Sequence, residues 1–177
     1  MLRSSTRREF LRNAAAGTAA AAMTAASYAR VLGANDRIRI GQIGCGNRGF
    51  QAHMGGVHRY AYSENAETVA ICDVWKEYRE RAASQVKKWY NLDPFKTSKY
   101  EELLARKDLD AVMIATPDHQ HCMILGAAAK AGKDSYCEKP LSTNMDELKT
   151  TCDAVKAAGI LVQIGTQSRS EPTTVGC

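Results

Sequence analysis

An α/β fold with a doubly wound parallel sheet is what this 177-residue sequence predicts, and three observations carry the expectation. Strand-like and helix-like patterns alternate from residue 38 onward, the order that lays helices on both faces of a parallel sheet. The first apolar run, Ile38 to Ile43, leads straight into Gly44-x-Gly46-x-x-Gly49, a strand-to-helix turn. Val112, Ile114 and Ala115 sit in a short continuous apolar run, as a strand buried on both faces requires.

Residues 1–34 stand ahead of the fold. Ser5-Thr-Arg-Arg-Glu-Phe-Leu11 is a twin-arginine pattern, followed by an Ala-rich run from Ala14 to Ala26 and small residues in Ser27-Tyr28-Ala29. The segment resembles a Tat-type signal peptide and linker, an address read by the Tat export machinery. It predicts a periplasmic or other extracytoplasmic location, with an uncleaved membrane tether as the alternative. The run is too short and too alanine-rich to read as a membrane span.

Strands are expected at about 38–43, 67–72, 110–115, 134–138 and 160–164, with a weaker one near 95–98. Helices are expected at about 48–60, 74–90, 100–106, 119–131 and 144–158. Gly132 and Gly159 follow Ala-rich helix ends as stop signals. Ser142 or Thr143 is expected to cap the last helix. Residues 35–167 then form one α/β domain, and 168–177 a truncated or irregular tail.

The three glycines have separate duties. Gly44 permits the tight turn, Gly46 lets backbone approach a pyrophosphate, and Gly49 lets the helix pack close to the sheet. An anion would then rest on the unpaired N–H groups at the helix N-terminus. Asp73 ends the second strand, 24 residues after Gly49, where an acid accepts hydrogen bonds from an adenosine ribose. Its charge opposes a 2′-phosphate, which favours NAD over NADP. Arg48 and Lys76 are nearby cations that weaken that preference. Together these features specify a Rossmann arrangement.

Composition removes other classes. The net charge is +5. Loss of residues 1–29 removes four arginines and one glutamate, leaving about +2 over about 148 residues. No basic block remains for nucleic acid. The six cysteines include no C-x-x-C pair, so neither a zinc site nor a disulfide framework is expected. Most read as buried thiols, with Cys45, inside the glycine turn, the one that could be exposed without ligand. His119 and His121 are two apart, which does not align them on a helix for a metal. A structural hydrogen bond in the helix opening suits His121. His53 and His58 read as surface or packing residues.

Ala115-Thr-Pro-Asp-His-Gln-His121 and Cys137-Glu-Lys-Pro140 both follow strands, so both belong at the carboxyl edge where ligands bind. Lys139 there could donate hydrogen bonds or a proton to a substrate oxygen, aided by partial burial. Glu138 would either orient Lys139 or lie in solvent.

The glycine turn, Ile71-Cys-Asp73, Ala115-Thr-Pro-x-x-x-His121, Ala131-Gly-Lys133, Cys137-Glu-Lys-Pro140 and Ile164-Gly-Thr-Gln167 occur in this order. Together they resemble the nucleotide-binding half of the Gfo/Idh/MocA oxidoreductases over about residues 36–169. The resemblance implies hydride transfer between a nicotinamide and a sugar or polyol carbinol. It implies Lys139 as the catalytic residue. It places Gly44, Cys45, Gly46, Asn47, Arg48, Gly49, Asp73, Thr116, Pro117, His121, Glu138 and Gln167 around the cofactor. Family members continue into a second α/β domain, which is absent from this chain and which carries the oligomer face. Two alternatives follow. One is an NAD-dependent glycoside hydrolase of the same family. The other is a nucleotide-binding fragment without turnover.

Overall fold

The computed structural model describes residues 37–170. The export signal predicted at 1–34 and the tail beyond 170 lie outside these residues.

Six strands form one parallel sheet: β1 (Ile38–Ile43), β2 (Ala66–Cys72), β3 (Phe95–Thr97), β4 (Ala111–Ile114), β5 (Asp134–Glu138) and β6 (Val162–Gly165). Their order is β3-β2-β1-β4-β5-β6, and every neighbouring pair is parallel. The chain winds outward from β1 in one direction, then returns and winds outward from β4 in the other. The switch between β1 and β4 opens a crevice at their carboxyl ends. The glycine turn leaves β1 there, and the Thr116 loop leaves β4 beside it.

The helices are α1 (Gly55–Tyr60), α2 (Lys76–Tyr90), α3 (Tyr100–Leu104), α4 (His121–Lys130) and α5 (Met145–Ala158). Two cores result. Ile43, Ala70, Cys72, Leu103, Val112, Ile114 and Leu125 pack in the larger one. Cys45, Met54, Ile71, Ala82 and Val86 pack in the smaller. In β2, Ile71 faces one core while its neighbours Ala70 and Cys72 face the other, the two-residue period of a strand covered on both sides.

Three details depart from expectation. The first helix is not uniform: Arg48–Met54 winds as a π-helix before α1 continues it. The cap of α5 is Asn144, whose Oδ1 accepts the N–H groups of Asp146 and Glu147 at 2.9 and 3.2 Å. Ser142 instead braces the cap, accepting the Asn144 N–H at 3.0 Å; it stands too early in the chain to reach the first turn itself. Residues 167–170 form a 3₁₀ turn, so the expected irregular tail does not begin at 168. Gly132 and Gly159 take the expected left-handed conformation, φ +66° and +67°, as helix-stopping glycines do.

Candidate functional site

The turn after β1 requires glycine for two different reasons. Gly44 has φ +84°, and a Cβ there would collide with the Ala115 carbonyl on β4's exit. Gly49 sits against the turn itself, where a Cβ would strike the Gly44 carbonyl oxygen and approach Gln42 Nε2 at 2.8 Å. Among the described residues nothing crowds Gly46: an added Cβ would meet only Tyr78 Cε2, at 3.7 Å. The fold tolerates a side chain at Gly46, so the open space above it is available to a ligand. This is the cradle a diphosphate requires.

Asp73 lies at the end of β2 and reaches across to that turn. Its Oδ2 accepts the Cys45 N–H at 2.6 Å, and its Oδ1 accepts the Trp75 N–H at 2.8 Å. Two backbone donors thus hold the carboxylate rigidly while each oxygen keeps a further lone pair. Arg79 donates to the Asp73 carbonyl at 2.7 Å. Arg81 donates to the Cys45 carbonyl at 2.9 Å and lies over the rings of Phe50 and Tyr78. A cavity of about 600 Å³ runs along this face, lined among others by Gly46, Asn47, Asp73, Trp75, Thr116 and Pro117.

A second cavity of about 360 Å³ adjoins it, lined by Arg48, Ala115, Thr116, Asp118, His121, Glu138, Lys139 and Gln167. Arg48, Ala115 and Thr116 line both, so they mark the junction. His121 is 1 % exposed. Its Nδ1 lies 2.6 Å from the Pro140 carbonyl and its Nε2 2.9 Å from that of Thr116. The ring ties the loop after β4 to the loop after β5, the structural role expected for it. The Lys139–Pro140 peptide is cis.

Glu138 is buried, not solvated, and does not pair with the Lys139 ammonium. Its Oε1 accepts Arg48 Nε at 2.6 Å and Gln167 Nε2 at 2.9 Å, and faces His53 Nε2 at 2.9 Å. Its Oε2 accepts only the backbone N–H of Lys139, at 3.3 Å. Burial pushes this carboxyl upward, but the hydrogen bonds from His53 and Arg48 outweigh it and hold it below the ordinary range. The Lys139 side chain is exposed, so the partial burial expected of it is not supplied by the described residues.

Cys45 reverses another expectation. It is fully buried among Met54, Ile71, Ala82 and Val86, because the turn points its side chain inward while its N–H faces Asp73. Burial, reinforced by the Asp73 charge, drives its thiol far upward. Among the described residues no cluster of His, Cys, Asp or Glu is placed to hold a metal ion.

Sequence reading missed three contributors. Gln42, 1 % exposed, donates to the Gly44 carbonyl at 2.8 Å from within β1. His53, 3 % exposed, serves Glu138 and sets its ring edge-on to Tyr136, 5.0 Å between centroids. Tyr136 Oη accepts Gln167 Nε2 at 2.8 Å. A glutamine at the buried carboxyl end of β1, beside Ile43, was the one available signal. The π winding that brings His53 inward leaves no mark in residue periodicity.

A glycine-cradled crevice at the switch of a doubly wound sheet, with a fixed acid on the neighbouring strand, defines a dinucleotide-binding domain. Residues 38–166 match the family described as "Oxidoreductase family, NAD-binding Rossmann fold". The chain belongs to this family, Gfo/Idh/MocA. It is 32 % identical over 138 residues to the oxidoreductase YrbE of Bacillus subtilis, covering 77 % of this chain and 37 % of YrbE. It is 34 % identical over 125 residues to glycosyl hydrolase family 109 protein 2 of Shewanella sp. (strain ANA-3), covering 68 % of this chain and 26 % of that protein. Among solved structures it resembles the WlbA dehydrogenase of Bordetella pertussis in complex with NADH and UDP-GlcNAcA. That likeness has a TM-score of 0.68 and 28 % identity, covering 78 % of this chain and 40 % of WlbA. The chain therefore spans well under half the length of these relatives.

Proposed function

We propose that this chain is the nucleotide-binding part of an oxidoreductase that exchanges hydride between NAD and a sugar or polyol carbinol. One observation carries the reading. The exposed Lys139 amine and the glycine-cradled cleft belong to adjoining cavities that meet at Arg48 and Thr116. When bound, NAD supplies the hydride acceptor or donor. The residues of this chain do the rest. The turn from Gly44 to Gly49 offers backbone N–H groups to the diphosphate, and Asp73 offers its remaining lone pairs to the ribose diol. Thr116, Pro117 and His121 shape the wall between the cavities. Lys139 holds or passes a proton at the reacting oxygen. Titration of NAD and NADP into the purified chain tests the binding half. NAD is expected to bind about tenfold or more tightly, because a 2′-phosphate would face the Asp73 charge. Equal affinities would remove Asp73 from the ribose site.

A hydrolytic outcome is the second reading, favoured by the similarity to the family 109 glycosyl hydrolase. In it NAD is restored each turnover, and Lys139 keeps the same oxygen. Incubating the protein as its own cell produces it with aryl glycosides and no added NAD separates the two. Aryl release without net NADH supports hydrolysis, and no release supports oxidoreduction.

The twin arginines support export by the Tat route to an extracytoplasmic compartment. A reporter fused behind residues 1–34 should be exported. Changing Arg7 and Arg8 to lysine should hold it inside, and unimpaired export would defeat the assignment.

A further inference from the structure

Arg48 and His53 are five residues apart, yet both reach one oxygen, Glu138 Oε1. On an α-helix, positions five apart diverge by roughly 140°. The π winding of Arg48–Met54, in which bonds run i to i+5, brings them to one side. The irregular stretch therefore has a definite product: a guanidinium and an imidazole converging on a buried carboxylate.

That carboxylate uses only part of Arg48. Glu138 engages Nε, while the side chain as a whole remains 47 % exposed. Among the described residues neither Nη group has a hydrogen-bond partner, and Arg48 stands at the junction of the two cavities. A guanidinium anchored through Nε presents two parallel N–H donors, the geometry that matches an oxyanion. Gln167 completes the anchor from the far side, bridging Tyr136 Oη and Glu138 Oε1.

Resting on the nucleotide-site reading above, we propose that Arg48 grips the diphosphate oxyanion of the bound dinucleotide, and that Glu138 and His53 are positioning residues that aim it. Glu138 thereby leaves the set of residues expected to touch cofactor. The carboxylate's task is to hold a fork in place at the point where the nucleotide cleft opens into the Lys139 cavity.

The test compares ADP-ribose, which carries the diphosphate, with adenosine, which does not, by calorimetric titration of the full chain. Arg48→Gln and Arg48→Lys should each weaken ADP-ribose binding by about ten- to a hundredfold, the range of a charge-assisted hydrogen bond. Adenosine affinity should stay within about twofold, the scatter expected where no contact is lost. Lysine keeps the charge but not the fork, so wild-type affinity in Arg48→Lys overturns the inference. Arg48→Gln should also flatten the salt dependence of ADP-ribose binding, because one cation–phosphate contact has gone. Glu138→Gln and His53→Gln should lower the ADP-ribose preference over adenosine while both chains keep their circular dichroism spectra. Equal losses for both ligands, or tighter ADP-ribose binding, would make the cluster structural and overturn the positioning role. An acid sugar's carboxylate shares this chemistry. An Arg48 dependence confined to D-glucuronate, titrated with ADP-ribose present, overturns the diphosphate assignment. A wild-type chain that binds neither ADP-ribose nor adenosine overturns the nucleotide site itself, whereas wild-type binding with an indifferent Arg48 overturns this inference alone.

Discussion

The Asp73 carboxylate accepts the backbone N–H of Cys45 at 2.6 Å, so the acid that follows β2 holds the turn that follows β1. One residue thus fixes the shape of the cradle and lines the cleft beside it. Asp73→Ala is expected to weaken NAD binding by about 1.5–3 kcal/mol, the range for a hydrogen bond to a charged group. It should also lower stability, because the N–H groups of Cys45 and Trp75 lose their acceptor. Calorimetric titration reads the first effect and urea unfolding the second. Unchanged affinity would show that Asp73 serves the turn alone.

The glycines separate folding from binding. Gly49→Ala places a methyl group against the Gly44 carbonyl and Gln42, and should cost about 1–3 kcal/mol or more, as overpacking does. Gly46→Ala meets only a ring edge at 3.7 Å. It should melt within a degree or two of wild type, as near-neutral surface changes do, while losing NAD affinity. A Gly46→Ala protein that binds NAD normally would show that the ligand does not approach the turn at that point.

Acid should loosen the domain in two stages. Burial first, and the Arg48 charge in addition, hold His53 below its ordinary 6.5 against the upward pull of Glu138. Its Nδ1 is buried without a partner, so a proton there would have no acceptor. The unfolded chain binds that proton more readily, and stability present above pH 6.5 therefore declines as pH falls toward the folded value. Glu138 is also depressed, from its ordinary 4.5; its contribution is present above 4.5 and disappears as pH falls through the folded value. Unfolding free energies measured across pH should show both slopes. His53→Gln should flatten the upper one and Glu138→Gln the lower. A flat profile between pH 7 and 5 in the wild type would contradict the burial of His53.

Lys139 should behave as a residue the fold does not need. It is exposed, and among the described residues its ammonium has no partner. Lys139→Ala is expected to leave the melting temperature within a degree or two, as surface changes do, and NAD affinity close to wild type. Hydride transfer, followed by NADH absorbance in the protein as its own cell produces it, should fall by about a hundredfold or more, the contribution of a general acid or base. Retention of that rate would remove Lys139 from the chemistry.

Much of this architecture could be read from residue order. Apolar-rich runs located β1, β2 and β4, the alternation of strand and helix patterns located β5 and β6 and, more weakly, β3 (Phe-Lys-Thr), and glycines marked the ends of α4 and α5. The site's outline was legible for the same reason: Gly44, Asp73, Thr116 and Lys139 all lie at strand ends, which a parallel sheet collects on one edge. What escaped was contact between segments far apart in the chain. Glu138 meets Arg48 and His53 across 90 and 85 residues, and no local pattern encodes that pairing. The π turn escaped because nothing in α-helical spacing announces a five-residue repeat. Cys45 is buried even without ligand, because this turn folds its side chain beneath the helix.

The sealed sulfurs carry a consequence for the order of events in the cell. Cys45, Cys72, Cys122 and Cys137 are buried and unpaired, and desolvation pushes Cys72 and Cys137 up to about 12. Folded, Cys45, Cys72 and Cys137 stay protonated, and all four buried sulfurs are shielded from oxidants, because only an accessible thiolate reacts readily. Unfolded, the same polypeptide would present them to any disulfide-forming milieu as ready partners for scrambled cross-links. Maturation before contact with such a milieu would protect the chain, and its interior would then need no further safeguard.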